Sequence, residues 1–180
     1  MGIRLEHVMV VGGTPKDWDD ISTLEWEVVV DQLSAVGAAA GARWLTIRPY
    51  GPHPGSSRPH AYSHVAEGPC TVIIHEAADG RDSFAAAAAA VPPGELVDEQ
   101  AIARQLYAPA DVEPDLIVIL GPHDRLPPSL VWELAYGELV FVDRDVPTEL
   151  SGADLQRAIE TFHGRSRRFG GLDSDADSDP

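Results

Sequence analysis

Five features of the sequence carry side chains or turns that could do chemistry. Near the C-terminus, Arg165, Arg167 and Arg168 crowd together ahead of Gly170 and Gly171. Taken alone, arginines at the end of a helix balance its dipole, worth about 0.3–1 kcal/mol each. Gly12-Gly13-Thr14 follows an apolar run, where a phosphate-cradling turn could sit, yet it lacks both G-x-G-x-x-G and a G-K-[ST] ending. His53, His60 and His64 invite a metal, but their spacing is irregular and no cysteine or carboxylate pattern accompanies them, so they read as part of a solvated loop. Arg125 and Glu138 are single charges without a local motif. No G-x-S-x-G occurs, and a hydrolase triad is unsupported.

The elements that must position these groups alternate between strand and helix. His7–Val11 is a short apolar run closed by Gly12-Gly13, which predicts a buried first strand. The helical period of Val28, Val29, Gln32, Leu33 and Val36 predicts a helix over 24–40, stopped by Gly41. Strands are predicted at 44–48, 71–74, 115–120 and 138–142, and helices at 82–90, 98–106, 128–135 and from Ser151 to about residue 163. Between 50 and 68 the chain is rich in Gly, Pro, Ser and His, which predicts one long loop. The order is that of an α/β protein: a single domain over 1–171 with a mainly parallel central sheet flanked by helices, and a disordered acidic tail over 172–180. The tail reads as a solubilising end.

Composition narrows the partners. The chain has 180 residues and a formal net charge of −16, which argues against nucleic acid and anionic lipid. No apolar run approaches the roughly 18 residues of a membrane span, and the N-terminus does not read as a signal peptide. One cysteine, Cys70, excludes an internal disulfide framework and fits a reducing cytoplasm.

From Asp115 to Gly171 the sequence resembles the cis-prenyltransferase family, of undecaprenyl diphosphate synthase type. That family carries D-L-x-I-R-T-x-G-E-x-R-L-S-N-F-L-L-W-Q, then Y-A-E-x-x-F, and finishes with R-R-F-G-G. Here Asp115-Leu116 leads to Gly121, Arg125-Leu126 and Trp132, then to Tyr136-Gly137-Glu138 and Phe141, with Arg167-Arg168-Phe169-Gly170-Gly171 at the end. Residues 7–18 fit the family's first motif and residues 41–50 its second strand. The resemblance implies an α/β fold with a shortened tunnel region, because 51–70 is too short and too rich in Pro and Gly for two long apolar helices.

It also implies lost chemistry. The family joins isopentenyl diphosphate to an allylic diphosphate with Mg²⁺ and cationic side chains. At its M-D-G-N-x-R-W motif this chain reads Gly12-Gly13-Thr14-Pro15-Lys16-Asp17-Trp18, so the metal-positioning aspartate is Gly13 and the phosphate-binding arginine is Asp17. A carboxylate about 4 Å from a phosphate charge costs about 4 kcal/mol at an effective dielectric near 20. Of the late motif's two arginines and serine, the first arginine is Ile119, Arg125 survives as a substrate-binding residue, and the serine is Pro127. Glu138 matches a glutamate that serves the metal, or stands as an inherited residue without one.

What persists resembles the non-catalytic, Nogo-B receptor-type subunit of two-component cis-prenyltransferases. The resemblance implies a non-catalytic subunit in polyprenyl diphosphate synthesis. Arg168 and Gly170 of its R-x-G arm would act in the partner's diphosphate site, and Mg²⁺ in the complex would be held mainly by that catalytic partner. The alternatives are a stand-alone homodimeric protein that binds isoprenoid diphosphates or regulates, and a repurposed short-chain prenyltransferase. The expected location is cytoplasmic, at the inner membrane face only through the partner.

Overall fold

Apolar runs with β-branched residues become strands, and here they pair into one sheet. The computed structural model describes residues 4–51, 63–135 and 137–169, with 63–64 and 166–169 described for the backbone alone. The strands are β1 (His7–Val11), β2 (Trp44–Arg48), β3 (Ser63–Ala66), β4 (Thr71–His75), β5 (Leu116–Leu120) and β6 (Glu138–Val142). Their order is β3-β4-β2-β1-β5-β6, parallel throughout except for the β3–β4 pair. β1 and β5 are buried along their whole length, as central parallel strands covered on both faces must be.

The helices divide between the two faces. They are α1 (Pro15–Asp19), α2 (Thr23–Ala39), α3 (Gly80–Ala90), α4 (Glu99–Tyr107) and α5 (Gly152–Phe169). Leu33 of α2 and Leu155, Ile159 and Phe162 of α5 cover Val8, Val10, Leu45 and Val118. Ala87 of α3 and Ile102 and Leu106 of α4 cover Met9, Val11, Ile73 and Ile117. Burial of such side chains stabilises by about 1.5–3 kcal/mol each relative to exposure. The ends are capped: Ser22 and Glu25 form a reciprocal box, Asp98 accepts from Ala101 N, and Asp154 N donates to Ser151 Oγ at 3.1 Å.

The α/β architecture is as the sequence implies, with four local differences. The expected helix over 128–135 does not form; only a single 3₁₀ turn, Glu133–Ala135, is present. Pro127 and Pro128 oppose helix, and the Pro128 carbonyl instead accepts Gly80 N from α3 at 3.1 Å. The loop expected over 50–68 contains the edge strand β3. α1 is an extra helix, started by a Thr14/Asp17 capping box with Pro15 in its first turn. The last helix runs past residue 163 to Phe169. The acidic tail lies outside the described residues, as do His53 and His60.

Candidate functional site

In an open parallel sheet, ligands meet the carboxyl ends of the strands. Here that rim is formed by the turn after β1, the end of β2 and the loop after β5. Gly12 N donates to Arg48 O and Tyr50 N to Gly13 O, which ties the turn to β2. Gly13 has φ +69, and a Cβ placed there would lie 3.0 Å from the Trp18 ring and 3.2 Å from Val146 Cγ1. Trp18 is itself fixed, its Nε1 donating to Gly12 O at 2.9 Å. A side chain at position 13 therefore meets both an unfavourable backbone and a filled space.

Asp17 does not face a ligand unaided. Its Oδ2 accepts from Thr14 N and Thr14 Oγ1, both at 2.7 Å, as the closing half of the capping box. Beside the turn, Tyr50 O accepts from Ser129 Oγ at 3.0 Å, so the segment after β5 is laced to β2. The Tyr50 hydroxyl is buried without a partner among the described residues. Burial pushes this phenol up, while nearby Arg125 pulls it back and Asp124 adds to the rise. Arg125 itself is exposed and makes no hydrogen bond or ion pair among the described residues. It is a cation held at the strand ends and open to solvent.

The remaining expected residues lie elsewhere. Ile119 is buried in the row Arg48–Val11–Ile119–Phe141 across β2, β1, β5 and β6. Glu138 sits three residues back from that row, about 10 Å at strand rise. Its carboxylate accepts from Arg165 Nη1 at 2.8 Å, and the same Nη1 donates to Leu139 O at 2.7 Å. The structure does not bring Glu138 together with Gly13. No group of three or more metal-ligating side chains occurs among the described residues. Arg168 is placed only as backbone near the end of α5, and Gly170 and Tyr136 lie outside the described residues. Cys70 is buried, which pushes its thiol up to about 11 and makes it a poor nucleophile at neutral pH.

Sequence reasoning missed a second polar cluster, on the α3/α4 face of the sheet. Arg48 Nη1 donates to Glu133 Oε1 at 2.6 Å, with both side chains buried. Glu133 Oε2 accepts from Val131 N, so the pair locks the 3₁₀ turn against β2. Tyr107 lies next to Glu133; burial, and then that carboxylate, raise its phenol far above the ordinary value. His75 closes β4, and its imidazole is lowered to about 4 by burial and then by Arg48. His7 Nδ1 donates to Val112 O at 2.8 Å, leaving Nε2 to accept from Thr46 Oγ1. The signal was present in Trp44-Leu-Thr-Ile-Arg48: Thr46 and Arg48 alternate with Leu45 and Ile47, which points a charge inward at period two.

The family described as "Putative undecaprenyl diphosphate synthase" matches residues 66–170. A tritrans,polycis-undecaprenyl-diphosphate synthase (geranylgeranyl-diphosphate specific) of Thermococcus kodakarensis is 42% identical over 76 residues, 42% of this chain and 28% of that protein. Isoprenyl transferase 1 of Bradyrhizobium diazoefficiens is 50% identical over 58 residues, 32% of this chain and 23% of the relative. These matches thus span less than a third of the relatives' length. The crystal structure of a probable undecaprenyl diphosphate synthase from Campylobacter jejuni superposes with a TM-score of 0.61 at 19% identity, over 94% of this chain and 100% of that one, a likeness of fold.

Proposed function

Because the chain belongs to the undecaprenyl diphosphate synthase family, we propose that it is a non-catalytic subunit of a heteromeric cis-prenyltransferase making polyprenyl diphosphates. The observation that carries this reading is the closed Gly13 turn. The family works with Mg²⁺ on isoprenoid diphosphates. Here the group that should help hold the metal is a glycine at φ +69 packed against Trp18, and Asp17 is engaged as a helix cap. Glu138 is paired with Arg165 at the far end of its strand. These residues do not fit a resident Mg²⁺, so the reading assigns the metal to the partner.

What this chain supplies is cationic. Arg168 offers a planar fork that binds two phosphate oxygens at once and stays charged, and Gly170 lets the backbone approach a ligand closely. The reading places both in the catalytic partner's diphosphate site. Mixing the purified chain with a catalytic homologue should raise turnover, and Arg168→Ala should abolish the gain. Absence of both a complex on size exclusion and a rate change would sink the proposal. Polyprenyl product formed by this chain alone with Mg²⁺ would sink it equally.

Arg125, exposed at the strand ends and unpaired among the described residues, favours a second reading, a homodimer that binds isoprenoid diphosphates without catalysis. Calorimetry with isopentenyl and farnesyl diphosphates separates the two. Binding in the absence of any catalytic chain, lost in Arg125→Ala, supports the second. On either reading Gly13→Asp gains no transferase activity and loses about 1–3 kcal/mol of stability to backbone and packing strain, measurable by urea denaturation.

A further inference from the structure

The chain that leaves β5, residues 121–135, forms a strap that reaches the end of β2 and the start of α3. It is held on both sides of Arg125. On the far side, Ser129 is 1% exposed, and its Oγ donates to Tyr50 O at 3.0 Å. The Pro128 carbonyl accepts Gly80 N at 3.1 Å. A Cβ on Gly80 would lie 2.7 Å from both Ser129 O and Val131 Cγ2, so α3 meets the strap where no side chain fits. Glu133 then closes the strap on buried Arg48. On the near side, Gly121 N donates to Val142 O at 3.2 Å, and the His123 ring lies against Phe141 with centroids 5.1 Å apart.

Between these anchors only Asp124, Arg125 and Leu126 stand free. All three are exposed, and neither charge is paired among the described residues. Pro127 and Pro128 fix two backbone torsions between the tip and Ser129, which stiffens the link. Arg125 acts on the Tyr50 phenol, and Tyr50 is also the residue whose carbonyl Ser129 holds. The anchor and the cation thus share one base. A guanidinium grips an anion through a planar fork, and that geometry costs less ordering when the backbone carrying it is already fixed.

We propose that Ser129 and Gly80 are positioning residues for Arg125, holding the strap so that its guanidinium is set over the strand ends before an anion arrives. This rests on the second reading, of Arg125 as an anion-binding cation, and adds what fixes that cation in place. Ser129 acts through the Tyr50 carbonyl, and Gly80 acts by letting α3 close on the strap backbone.

The test uses the full chain and two readouts. In calorimetry with inorganic pyrophosphate, Ser129→Ala and Gly80→Ala should each weaken binding about three- to ten-fold. Leu33→Ala, which loosens the opposite face of the sheet, should leave binding unchanged. In an Arg125→Lys background, where a point charge on a flexible stem gains little from a fixed backbone, Ser129→Ala should add no further loss. The second readout needs no ligand. A nitroxide on Arg125→Cys, with buried Cys70 a poor nucleophile, should give an ordered spectrum that Ser129→Ala and Gly80→Ala sharpen and Leu33→Ala does not. Ser129→Ala binding as tightly as the unaltered chain, or losing the same factor beside Arg125→Lys, would overturn the proposal. A chain that binds no pyrophosphate would sink the binding reading instead, and the nitroxide then decides: spectra unmoved by both strap variants overturn the positioning role.

Discussion

The two faces of the sheet are made from the same strands and filled on different terms. Toward α2 and α5, alternate residues of β1, β2 and β5 contribute Val8, Val10, Leu45, Ile47, Leu116 and Val118 to an aliphatic layer. Toward α3 and α4, the intervening residues include His7, Thr46 and Arg48 among Met9, Val11 and Ile117, with Glu133 and Tyr107 brought in from outside the sheet. Aliphatic packing is non-directional and tolerates rearrangement at constant volume. A buried ion pair does not tolerate it, since desolvation of two charges is offset only in one geometry. One face holds the sheet together, and the other fixes where a particular turn must lie.

The sharpest way to break this contrast is to remove one member of the ion pair. Glu133→Ala leaves Arg48 charged in the interior and should cost about 3–5 kcal/mol in urea denaturation, while the double variant Arg48→Leu/Glu133→Leu should recover most of the loss. A double variant as unstable as the single one would show that the pair contributes more than mutual neutralisation.

Acid should discriminate between the faces next. Burial lowers the His7 imidazole to about 4, and Arg48, adding to burial, lowers His75 to about 4. The unfolded chain takes up these protons below about pH 6.5, whereas the folded chain refuses them until about pH 4, so stability falls as pH drops through that window. For His7 alone the loss is about 3 kcal/mol at the acid end. His7→Gln should flatten the profile measured between pH 7 and pH 4.5. Leu33→Ala, on the α2/α5 face, should lower stability by the same amount at both values.

The smallest effect belongs to the exposed pair. Arg165→Ala should cost less than about 1 kcal/mol, and part of even that should vanish in high salt. A loss comparable to that of Glu133→Ala would erase the distinction between buried and exposed pairs in this chain.

Local pattern made most of the fold legible. Alternation in Trp44-Leu-Thr-Ile-Arg48, the apolar run of β5 and the Ser151/Asp154 cap all mark elements that form as their residues suggest. The misplaced helix over 128–135 shows the limit. Leu130, Val131 and Leu134 have helical spacing, but the backbone there answers to Gly80 and to Arg48, the latter 85 residues away in sequence from Glu133. Partners that distant leave no mark on a local period. At the site, resemblance alone sets Gly13 against the family's metal-positioning aspartate. The positive φ that closes the position is not legible there, because it follows from Tyr50 N meeting Gly13 O and from where Trp18 comes to rest.

The Arg165 guanidinium on Leu139 O has a consequence for how the molecule behaves in company. Glu138 N and Val142 O bond inward toward β5 and its flanking residues, so the peptide groups of Leu139 and Phe141 face away from the sheet, at its outermost strand. An incoming strand that sought to extend the sheet would first have to evict a cation from the Leu139 carbonyl. That side chain thus works as an end-stop against runaway stacking at the high concentrations of crystallisation or overexpression.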